Sequence, residues 1–251
     1  MKIALLGLGD VGRHHARSLA EAKGAGLAAV CDIDGEAARA LGRELGVPAF
    51  ATLQEMLADT ECEGILIATP HTHHPEAAGL AFRAGRHVLL EKPLAIRLSD
   101  AQAMVEAHRA AEAKEGRLIF GAMFQQRTYG YWQKIKALIH SGELGRLMRL
   151  TWIITDWYRS QAYYDSGNWR ATWRGEGGGV LMNQAAHNLD IYQWLAGAPQ
   201  RITAVAGFGK YHRIEVEDEI SIILEHESGM VGHIFSSTAE APGTNRMEII
   251  G

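Results

Sequence analysis

The sequence is poor in cysteine and lacks long hydrophobic runs. Its two cysteines among 251 residues, Cys31 and Cys62, lie in apolar strand-like runs without metal-type spacing, which favours reduced packing residues in a cytoplasmic protein. No stretch is apolar enough for a transmembrane helix, and Met1-Lys2 leads directly into a predicted strand rather than a signal peptide. We therefore expect a cytoplasmic protein and no membrane protein.

Neither sign of charge dominates. Lys and Arg total 25 against 29 Asp and Glu, and the formal net charge is −4. Without a basic face or an acidic tail, the sequence predicts no nucleic-acid partner and no membrane partner. A hydrophobic content of 47% with 22% charged residues is typical of a globular protein, and domains of about 150 residues would make this chain two modest domains.

Aromatic residues are scarce in the first half. Only Phe50, Phe82 and Phe120 occur among the first 120 residues, whereas all six Trp and all seven Tyr lie beyond them. An Ala/Gly/Leu-rich half suits helices packed on a parallel sheet, and a Trp- and Tyr-rich half suits surfaces that stack and hydrogen-bond. We therefore predict domains at residues 1–122 and 123–251.

The first half shows the pattern of βα units. Short apolar runs alternate with segments of helical period, which predicts an α/β domain with a Rossmann-type, doubly wound parallel sheet that binds ligands at the carboxyl ends of its strands. The predicted strands are Lys2–Leu6, Leu27–Cys31, Gly64–Ala68, His87–Leu90 and Leu118–Ala122. The predicted helices are Val11–Ala22, Gly35–Leu45, Leu53–Ala58, Pro75–Ala84 and Asp100–Ala113.

The second half is predicted to be an α+β domain with helices on one face of an open, mainly antiparallel sheet. A helix around Tyr131–His140, a strand at about Leu147–Thr155 and a loop rich in aromatic and polar residues come first. Gly177–Gly179 then precede a helix through about Leu195, and Gly229 turns a hairpin. The last strand-like runs are Arg201–Phe208, Ile220–His226, Met230–Ser236 and Asn245–Gly251.

A glycine motif follows the first predicted strand and opens the first predicted helix. Gly7-Leu8-Gly9-Asp10-Val11-Gly12 has the G-x-G-x-x-G spacing, in which the glycines permit a tight turn, close approach of a pyrophosphate and close helix packing. Asp32 ends the second strand, 20 residues beyond Gly12, where a carboxylate would accept hydrogen bonds from ribose hydroxyls. Because Asp32 would repel a ribose phosphate, NAD is favoured, although Arg13 leaves NADP possible.

Two further segments follow strands at the same edge of the predicted sheet. Ala68-Thr69-Pro70-His71 follows one strand, and Glu91-Lys92-Pro93 follows the next along the chain. A lysine in a cofactor crevice can have a lowered pKa and exchange a proton with a substrate hydroxyl. The alternative is an exposed lysine at a strand end.

The predicted helix after the glycine triplet carries a polar stripe. Asn183, His187, Asp190 and Trp194 are spaced at i, i+4, i+7 and i+11. Such a stripe is normally apolar, so a polar one indicates a binding or catalytic site. The alternative is a solvated helix face.

These motifs, in this order, resemble the Gfo/Idh/MocA family of NAD(P)-dependent oxidoreductases (glucose-fructose oxidoreductase, inositol dehydrogenase and MocA-like proteins). The resemblance implies a Rossmann domain, a second domain with an open sheet, an active site between them and a homo-oligomer formed through that sheet. It also implies that Lys92 and His187 contact the hydroxyl or carbonyl that is converted. Many members carry aspartate where this chain has Asn183, and an amide cannot act as a base, so we expect Asn183 to position substrate.

The resemblance also suggests secondary site residues. It places the segment with Gln125 and Arg127 near the nicotinamide, and we assign Gln125 to the cofactor and Arg127 to the substrate. It also places Trp169-Arg170 near the cofactor carboxamide. Tyr158 and Tyr163 combine flat rings with hydrogen-bonding groups, a composition suited to sugars. The predicted cofactor-binding set is Gly7, Leu8, Gly9, Asp10, Val11, Gly12, Asp32, Ala68, Thr69, Pro70, His71, His74, Glu91, Lys92, Gln125, Trp169 and Arg170.

The remaining histidines do not form a convincing metal site. No cluster of cysteines or carboxylates near His71-x-His73-His74 in the sequence completes a tetrahedral ligand set, and nicotinamide hydride chemistry can proceed without a metal. We expect His71 or His74 to line the cofactor pocket, and His14-His15 to face solvent or the sheet.

The leading hypothesis is hydride transfer between NAD and a hydroxyl-bearing carbon of a sugar, polyol or sugar derivative, with Lys92 and His187 as catalytic residues. NAD-dependent, redox-assisted glycoside cleavage and a non-catalytic dinucleotide-binding scaffold are the alternatives. The final strand-like run normally continues in the family, so we expect a second domain truncated at its C-terminus with an exposed sheet edge.

Overall fold

The computed structural model describes residues 1–167 and 169–251. Within them the chain divides into two compact units, Met1–Met123 and Phe124–Gly251. The predicted fold class, a Rossmann-type parallel sheet followed by an α+β unit with a mainly antiparallel sheet, is confirmed.

The first unit alternates strands and helices. Its strands are β1 (Lys2–Leu6), β2 (Gly26–Cys31), β3 (Ala49–Phe50), β4 (Gly64–Ile67), β5 (His87–Leu90) and β6 (Phe120–Ala122). Its helices are α1 (Asp10–Glu21), α2 (Gly35–Leu45), α3 (Leu53–Asp59), α4 (His74–Arg83) and α5 (Leu98–Glu115). The two-residue strand β3 was not predicted, and β6 begins two residues later than expected.

All strand pairs of this sheet are parallel, in the order β3-β2-β1-β4-β5-β6. The order reverses between β1 and β4, and a doubly wound sheet binds its ligand at the carboxyl ends of the strands at such a reversal. Every residue of β4 is buried, because helices cover both faces of the sheet. The chain therefore brings the glycine motif and Thr69-Pro70 to the edge of the sheet where such folds bind their ligands.

The second unit combines a mixed sheet with three helices. Its elements are α6 (Gly130–His140), β7 (Arg149–Ile154), α7 (Gln161–Asp165), α8 (Ala186–Ala196), β8 (Arg201–Phe208), β9 (Glu217–Glu225), β10 (Val231–Ser237) and β11 (Asn245–Ile250). The sheet order is β11-β7-β10-β9-β8, and β7 and β10 form its parallel pair. Gly229 turns the β9–β10 hairpin with φ +83°, as predicted.

Helices α6 and α8 cover one face of this sheet through Trp132, Ile191 and Leu195. Side chains on the other face remain exposed, and the exposed fractions there are 76% for Val205 on β8 and 43% for Ile223 on β9. The sheet is thus open on one side.

Two predictions about local structure in this unit are wrong. Helix α8 starts at Ala186 rather than Val180, so Asn183 lies in the preceding turns and only His187, Asp190 and Trp194 of the predicted stripe are on the helix. The aromatic segment, predicted as a loop, contains the short helix α7, whose N-terminus is capped by the Ser160 hydroxyl accepting from the amide of Tyr163.

Candidate functional site

The turn after β1 brings helix α1 close to the sheet. Gly7 has φ +94°, and a Cβ on it would lie 2.7 Å from the carbonyl carbon of Ala68. A Cβ on Gly12 would lie 1.9 Å from the carbonyl oxygen of Gly7. The protein's own backbone therefore requires glycine at both positions.

Gly9 differs because the space beside it is open. A Cβ there would meet no atom within 4 Å, and its φ of −63° suits any residue. Gly9 is the N-cap of α1, and no side chain caps this helix, whereas Asp34 caps α2 and Thr52 caps α3. Open space in front of uncapped amides fits the pyrophosphate of a dinucleotide.

Asp32 ties the end of β2 to this turn. Its Oδ2 accepts a hydrogen bond from the amide of Leu8 at 2.6 Å, and Oδ1 accepts from the amide of Asp34 at 2.9 Å. A carboxylate has about four acceptor positions, so these bonds leave capacity for ribose hydroxyls. Arg13 is also held here, because its Nε donates to the carbonyl of Leu8 at 3.0 Å. Asp10 and Val11 are exposed on the first turn of α1.

The loop after β4 is braced by a buried histidine. His74 has no exposed surface; its Nδ1 lies 2.9 Å from the carbonyl oxygen of Pro93 and its Nε2 lies 3.0 Å from that of Thr69. Burial lowers the pKa of His74, although the carbonyl oxygens act in the opposite direction. A neutral ring donates to only one of these carbonyl oxygens, and in either tautomer His74 lies between the Thr69-Pro70 loop and the Glu91-Lys92-Pro93 segment. The ring of His71 packs against it with centroids 5.8 Å apart.

Glu91 is the anchored residue of the segment after β5. Nε2 of His15 donates to its Oε1 at 2.7 Å, and the amide of Lys92 donates to its Oε2 at 3.2 Å. Burial, the largest single influence, would raise the pKa of Glu91, but the hydrogen bonds from His15 and the Lys92 amide and the charges of both residues together hold the pKa below its usual value. The ionised carboxylate thus joins α1 to the backbone of Lys92.

In the second unit, a buried glutamate holds the glycine triplet. Oε2 of Glu217 accepts from the amide of Gly179 at 2.9 Å, and Oε1 accepts from the amide of Leu181 at 3.1 Å. A Cβ on Gly179 would lie 1.9 Å from the carbonyl oxygen of Glu217. The triplet therefore permits close backbone approach to β9, and the Glu217 carboxylate accepts hydrogen bonds from backbone amides of the turns that precede α8.

Asn183 is oriented by a second buried glutamate. Its Nδ2 donates to Oε1 of Glu176, while Oε2 of Glu176 accepts from the amide of Ala171 at 2.7 Å. Glu176 is 3% exposed, and Ala171 has a positive φ of 50°. Asn183 thus turns its amide nitrogen toward Glu176 and its carbonyl oxygen away from it.

The predicted residues near α8 fall into two contacts. The ring of His187 packs edge-on against Phe124 with centroids 5.9 Å apart. Arg127 donates from Nε and Nη2 to the carboxylate of Asp190 at 2.7 and 2.5 Å. Gln125 begins the 3₁₀ turn that carries Arg127. Asp190 therefore fixes the Arg127 guanidinium beside the helix.

Predicted residues of the aromatic segment lie together. Nη1 of Arg170 donates to the hydroxyl of Tyr163 at 2.9 Å, and its guanidinium carbon lies 4.6 Å from the ring centroid of Trp169. Tyr158 is half exposed. Thus Tyr163, Trp169 and Arg170 form one cluster, in the same unit as Asn183 and His187, whereas Lys92 belongs to the first unit.

Sequence reasoning missed His15, Glu176, Glu217 and Asp218. Asp218 is fully buried and accepts hydrogen bonds from three successive amides and from the ring of His212. Each of these residues acts on partners that are distant in the chain or on backbone amides. The acidic residue directly before the glycine triplet was the signal available for Glu176.

In the described part of the chain, no three His, Cys, Asp or Glu side chains are grouped as metal ligands would be. Among the same residues, no helix is both long and apolar enough to cross a bilayer.

Comparison with known protein families assigns both units. Residues 1–120 match the sequence model described as an oxidoreductase family with an NAD-binding Rossmann fold, and residues 132–251 match the GFO/IDH/MocA C-terminal domain. The chain belongs to the Gfo/Idh/MocA family. The predicted family is thereby confirmed, as is NAD as the cofactor of its nucleotide-binding fold.

Solved structures of Gfo/Idh/MocA proteins share this architecture. The WlbA dehydrogenase from Chromobacterium violaceum, crystallised with NADH and UDP-GlcNAcA, is 31% identical and superposes with a TM-score of 0.91, covering 100% of this chain and 71% of the WlbA chain. The WlbA dehydrogenase from Bordetella pertussis is 32% identical, also with a TM-score of 0.91, and the match covers 100% of this chain and 75% of that one.

Curated relatives are matched over part of their length. An uncharacterized oxidoreductase, sll0816, from Synechocystis is 33% identical over 62% of this chain and 40% of its own length. The scyllo-inositol 2-dehydrogenase (NAD(+)) of Bacillus subtilis is 28% identical over 100% of this chain and 71% of its own length. The chain therefore spans less than half of one relative and under three-quarters of the other.

Proposed function

We propose that the protein transfers a hydride between NAD(H) and a hydroxyl-bearing carbon of a sugar, polyol or sugar derivative. The observation that carries this proposal is the uncapped glycine turn with open space at Gly9, in a unit where Lys92 directly follows β5, two strands from β1 in the same parallel sheet. Members of the same family with NADH, or with dehydrogenase names, support the same chemistry.

The first unit's residues would hold the cofactor. The amides at the start of α1 bind the pyrophosphate, and the remaining acceptor positions of Asp32 bind ribose hydroxyls. When bound, NAD supplies the nicotinamide carbon that accepts the hydride. NAD is preferred over NADP because the Asp32 carboxylate repels a ribose phosphate, and the Arg13 guanidinium offsets part of this repulsion.

Lys92 takes the proton from the substrate hydroxyl, and His187 assists and stabilises the developing alkoxide. Asn183 lacks a basic group, so it positions substrate through its carbonyl oxygen, which Glu176 turns away from itself. Arg127 contributes to substrate binding with a geometry set by Asp190.

The test is Lys92→Met. We expect loss of turnover on every sugar that the wild-type protein oxidises, with an NAD dissociation constant unchanged within about threefold, because the Lys92 side chain acts on the substrate proton. Turnover retained in this variant would remove Lys92 from the mechanism.

We also propose that the protein forms a homo-oligomer through the open face of the sheet in its second unit. Val205 and Ile223 lie on that face with 76% and 43% of their surface exposed, and exposed apolar side chains of this kind favour association. Light scattering of the wild-type protein and of Val205→Glu tests this assembly: we expect the wild type to be a dimer or tetramer and the variant to be dissociated.

The free, buried thiols of Cys31 and Cys62 favour the cytoplasm as the location of the protein.

A further inference from the structure

Five side chains of the second unit alternate aromatic rings with guanidinium groups. The Arg159 guanidinium carbon lies 5.4 Å from the ring centroid of Trp157 and 4.8 Å from that of Tyr163. The Arg170 carbon lies 4.7 Å from the centroid of Tyr163 and 4.6 Å from that of Trp169. Two positive charges therefore share one tyrosine ring in an arginine–aromatic ladder.

Neither arginine of the ladder has a carboxylate partner within residues 1–167 and 169–251. Their side chains donate to neutral oxygens, Arg159 to the carbonyl of Tyr158 and Arg170 to the hydroxyl of Tyr163. Other arginines of this unit do form ion pairs, as Arg127 does with Asp190 and Arg201 with Glu225. Two adjacent guanidinium groups without a counter-charge are costly unless an anion joins them.

The acidic residues nearest in sequence have other partners. Asp156 accepts from Asn245 and Asp165 accepts from Gln161. Glu176 accepts from the amide of Ala171 and from Asn183. The ladder is thus left with positive charge that none of these hydrogen bonds neutralises.

The backbone of the ladder is anchored. The amide of Arg159 donates to the carbonyl of Thr238 at 2.8 Å, and its own carbonyl oxygen lies 2.9 Å from Nε2 of His212. His212 is in turn held by the buried carboxylate of Asp218. Nε of Arg159 is buried without a hydrogen-bond acceptor among the described residues. A fixed guanidinium with unused donors is pre-organised for a carboxylate or phosphate, which it binds through two parallel hydrogen bonds.

We propose that the arginine–aromatic ladder binds an anionic group of the substrate, so that the substrate is a sugar that carries a carboxylate or a phosphate. This inference rests on the proposed sugar oxidoreductase function and adds a substrate class to it. The flat ring of Trp157 covers a sugar face and the Arg159 guanidinium binds the anion, while Arg170 and Trp169, which the resemblance assigns to the cofactor, complete the ladder on the other side of Tyr163.

Binding measured by calorimetry in the presence of saturating NAD tests the proposal without turnover. The probes are D-glucose, D-glucuronate and glucose 6-phosphate. We expect one of the two anionic sugars to bind at least about tenfold more tightly than glucose, because a charge-assisted hydrogen bond contributes at least this factor. Which anion binds better distinguishes a carboxylate substrate from a phosphate substrate.

Substitutions locate the effect. Arg159→Gln should lower the preference for the anionic sugar over glucose by about tenfold. Arg159→Lys keeps the charge but loses the two parallel N–H donors of the guanidinium, so its preference should lie between those of wild type and Arg159→Gln. Arg213→Gln is the matched control, because it removes an exposed positive charge of the same unit outside the ladder. Thermal midpoints and NAD affinity of each variant show that folding and the cofactor site are intact.

Equal binding of the three probes, absence of binding by both anions, or an anion preference that Arg159→Gln leaves unchanged would overturn the proposal. Its failure is separable from failure of the proposed function. Arginine-dependent anion binding without NADH formation would contradict the oxidoreductase function and support the anion site. NADH formation from neutral sugars alone would support the oxidoreductase function and contradict the anion site.

Discussion

Replacing Gly9 and Gly12 by alanine separates what the fold needs from what the cofactor needs. The methyl group of Gly12→Ala would lie 1.9 Å from the carbonyl oxygen of Gly7, a distance that only a shift of backbone can relieve. Overpacking of this kind costs about 1–3 kcal/mol or more, which in a chain of this size lowers the melting temperature by roughly 2–12 °C. Gly12→Ala should therefore be measurably unstable without any ligand.

Gly9→Ala should behave in the opposite way. Its methyl group would meet no atom within 4 Å, and φ of −63° imposes no strain. Loss of the N-cap preference for glycine costs up to about 1 kcal/mol, and the reduced entropy of the unfolded chain offsets roughly 0.4–1 kcal/mol. Stability should therefore change by less than about 1 kcal/mol.

The effect of Gly9→Ala should appear in NAD binding. The methyl group occupies the space through which a pyrophosphate reaches the amides of α1, so we expect affinity to fall at least about tenfold. Calorimetric NAD titrations and thermal melts of wild type, both variants and Gly26→Ala measure this, since a Cβ on Gly26 also meets nothing within 4 Å but lies outside the turn. Wild-type NAD affinity in Gly9→Ala would refute this account of the cofactor site.

Three further predictions follow from the buried polar groups. Asn183→Asp should destabilise the protein by about 1–3 kcal/mol because the half-buried carboxylate at position 183 must then share a proton with the buried carboxylate of Glu176. Adding Glu176→Gln should restore the thermal midpoint by reversing the hydrogen bond, and a single variant as stable as the double would contradict the pairing. His74, whose pKa is lowered chiefly by burial, stays neutral in the folded protein while the unfolded chain takes up the proton first, so its contribution to stability is present above about pH 6.5 and is lost as pH falls through the folded pKa. The difference in melting temperature between wild type and His74→Asn should then narrow between pH 7.5 and 5, and a constant difference would count against this. Burial raises the pKa of Cys31 to about 12, so mass spectrometry should find this thiol unalkylated by iodoacetamide at pH 8 unless urea is added.

The nucleotide-binding half could be predicted from sequence because its signals are local. The runs at Lys2–Leu6 and His87–Leu90 have the bounds of β1 and β5, and the glycine spacing marks the turn. Strand β3 escaped notice because it consists of Ala49 and Phe50, which pair with two residues of β2. Two residues carry too little periodicity to indicate a strand.

Parts of the candidate site could not be predicted where residues distant in the sequence determine the local structure. Helical period alone predicts that α8 begins at Val180. Glu217, 36 residues beyond Leu181 in the sequence, instead accepts hydrogen bonds from the amides of these turns. The pairing of His15 with Glu91 spans 76 residues, and no local pattern indicates it. Such contacts depend on tertiary structure, so spacing in the sequence indicates the candidate site residues but not the carboxylates that orient them.

The ratio of NADH formed to sugar consumed tests the central claim most directly. The account predicts one NADH for each sugar oxidised, followed by nicotinamide absorbance and chromatography of the sugar, with no NADH formed by a Lys92→Met protein that still binds NAD. Sugar consumed over many turnovers without net NADH would instead indicate redox-assisted glycoside cleavage, and NAD binding with no turnover of neutral or anionic sugars would indicate a dinucleotide-binding scaffold. Either result would contradict the account.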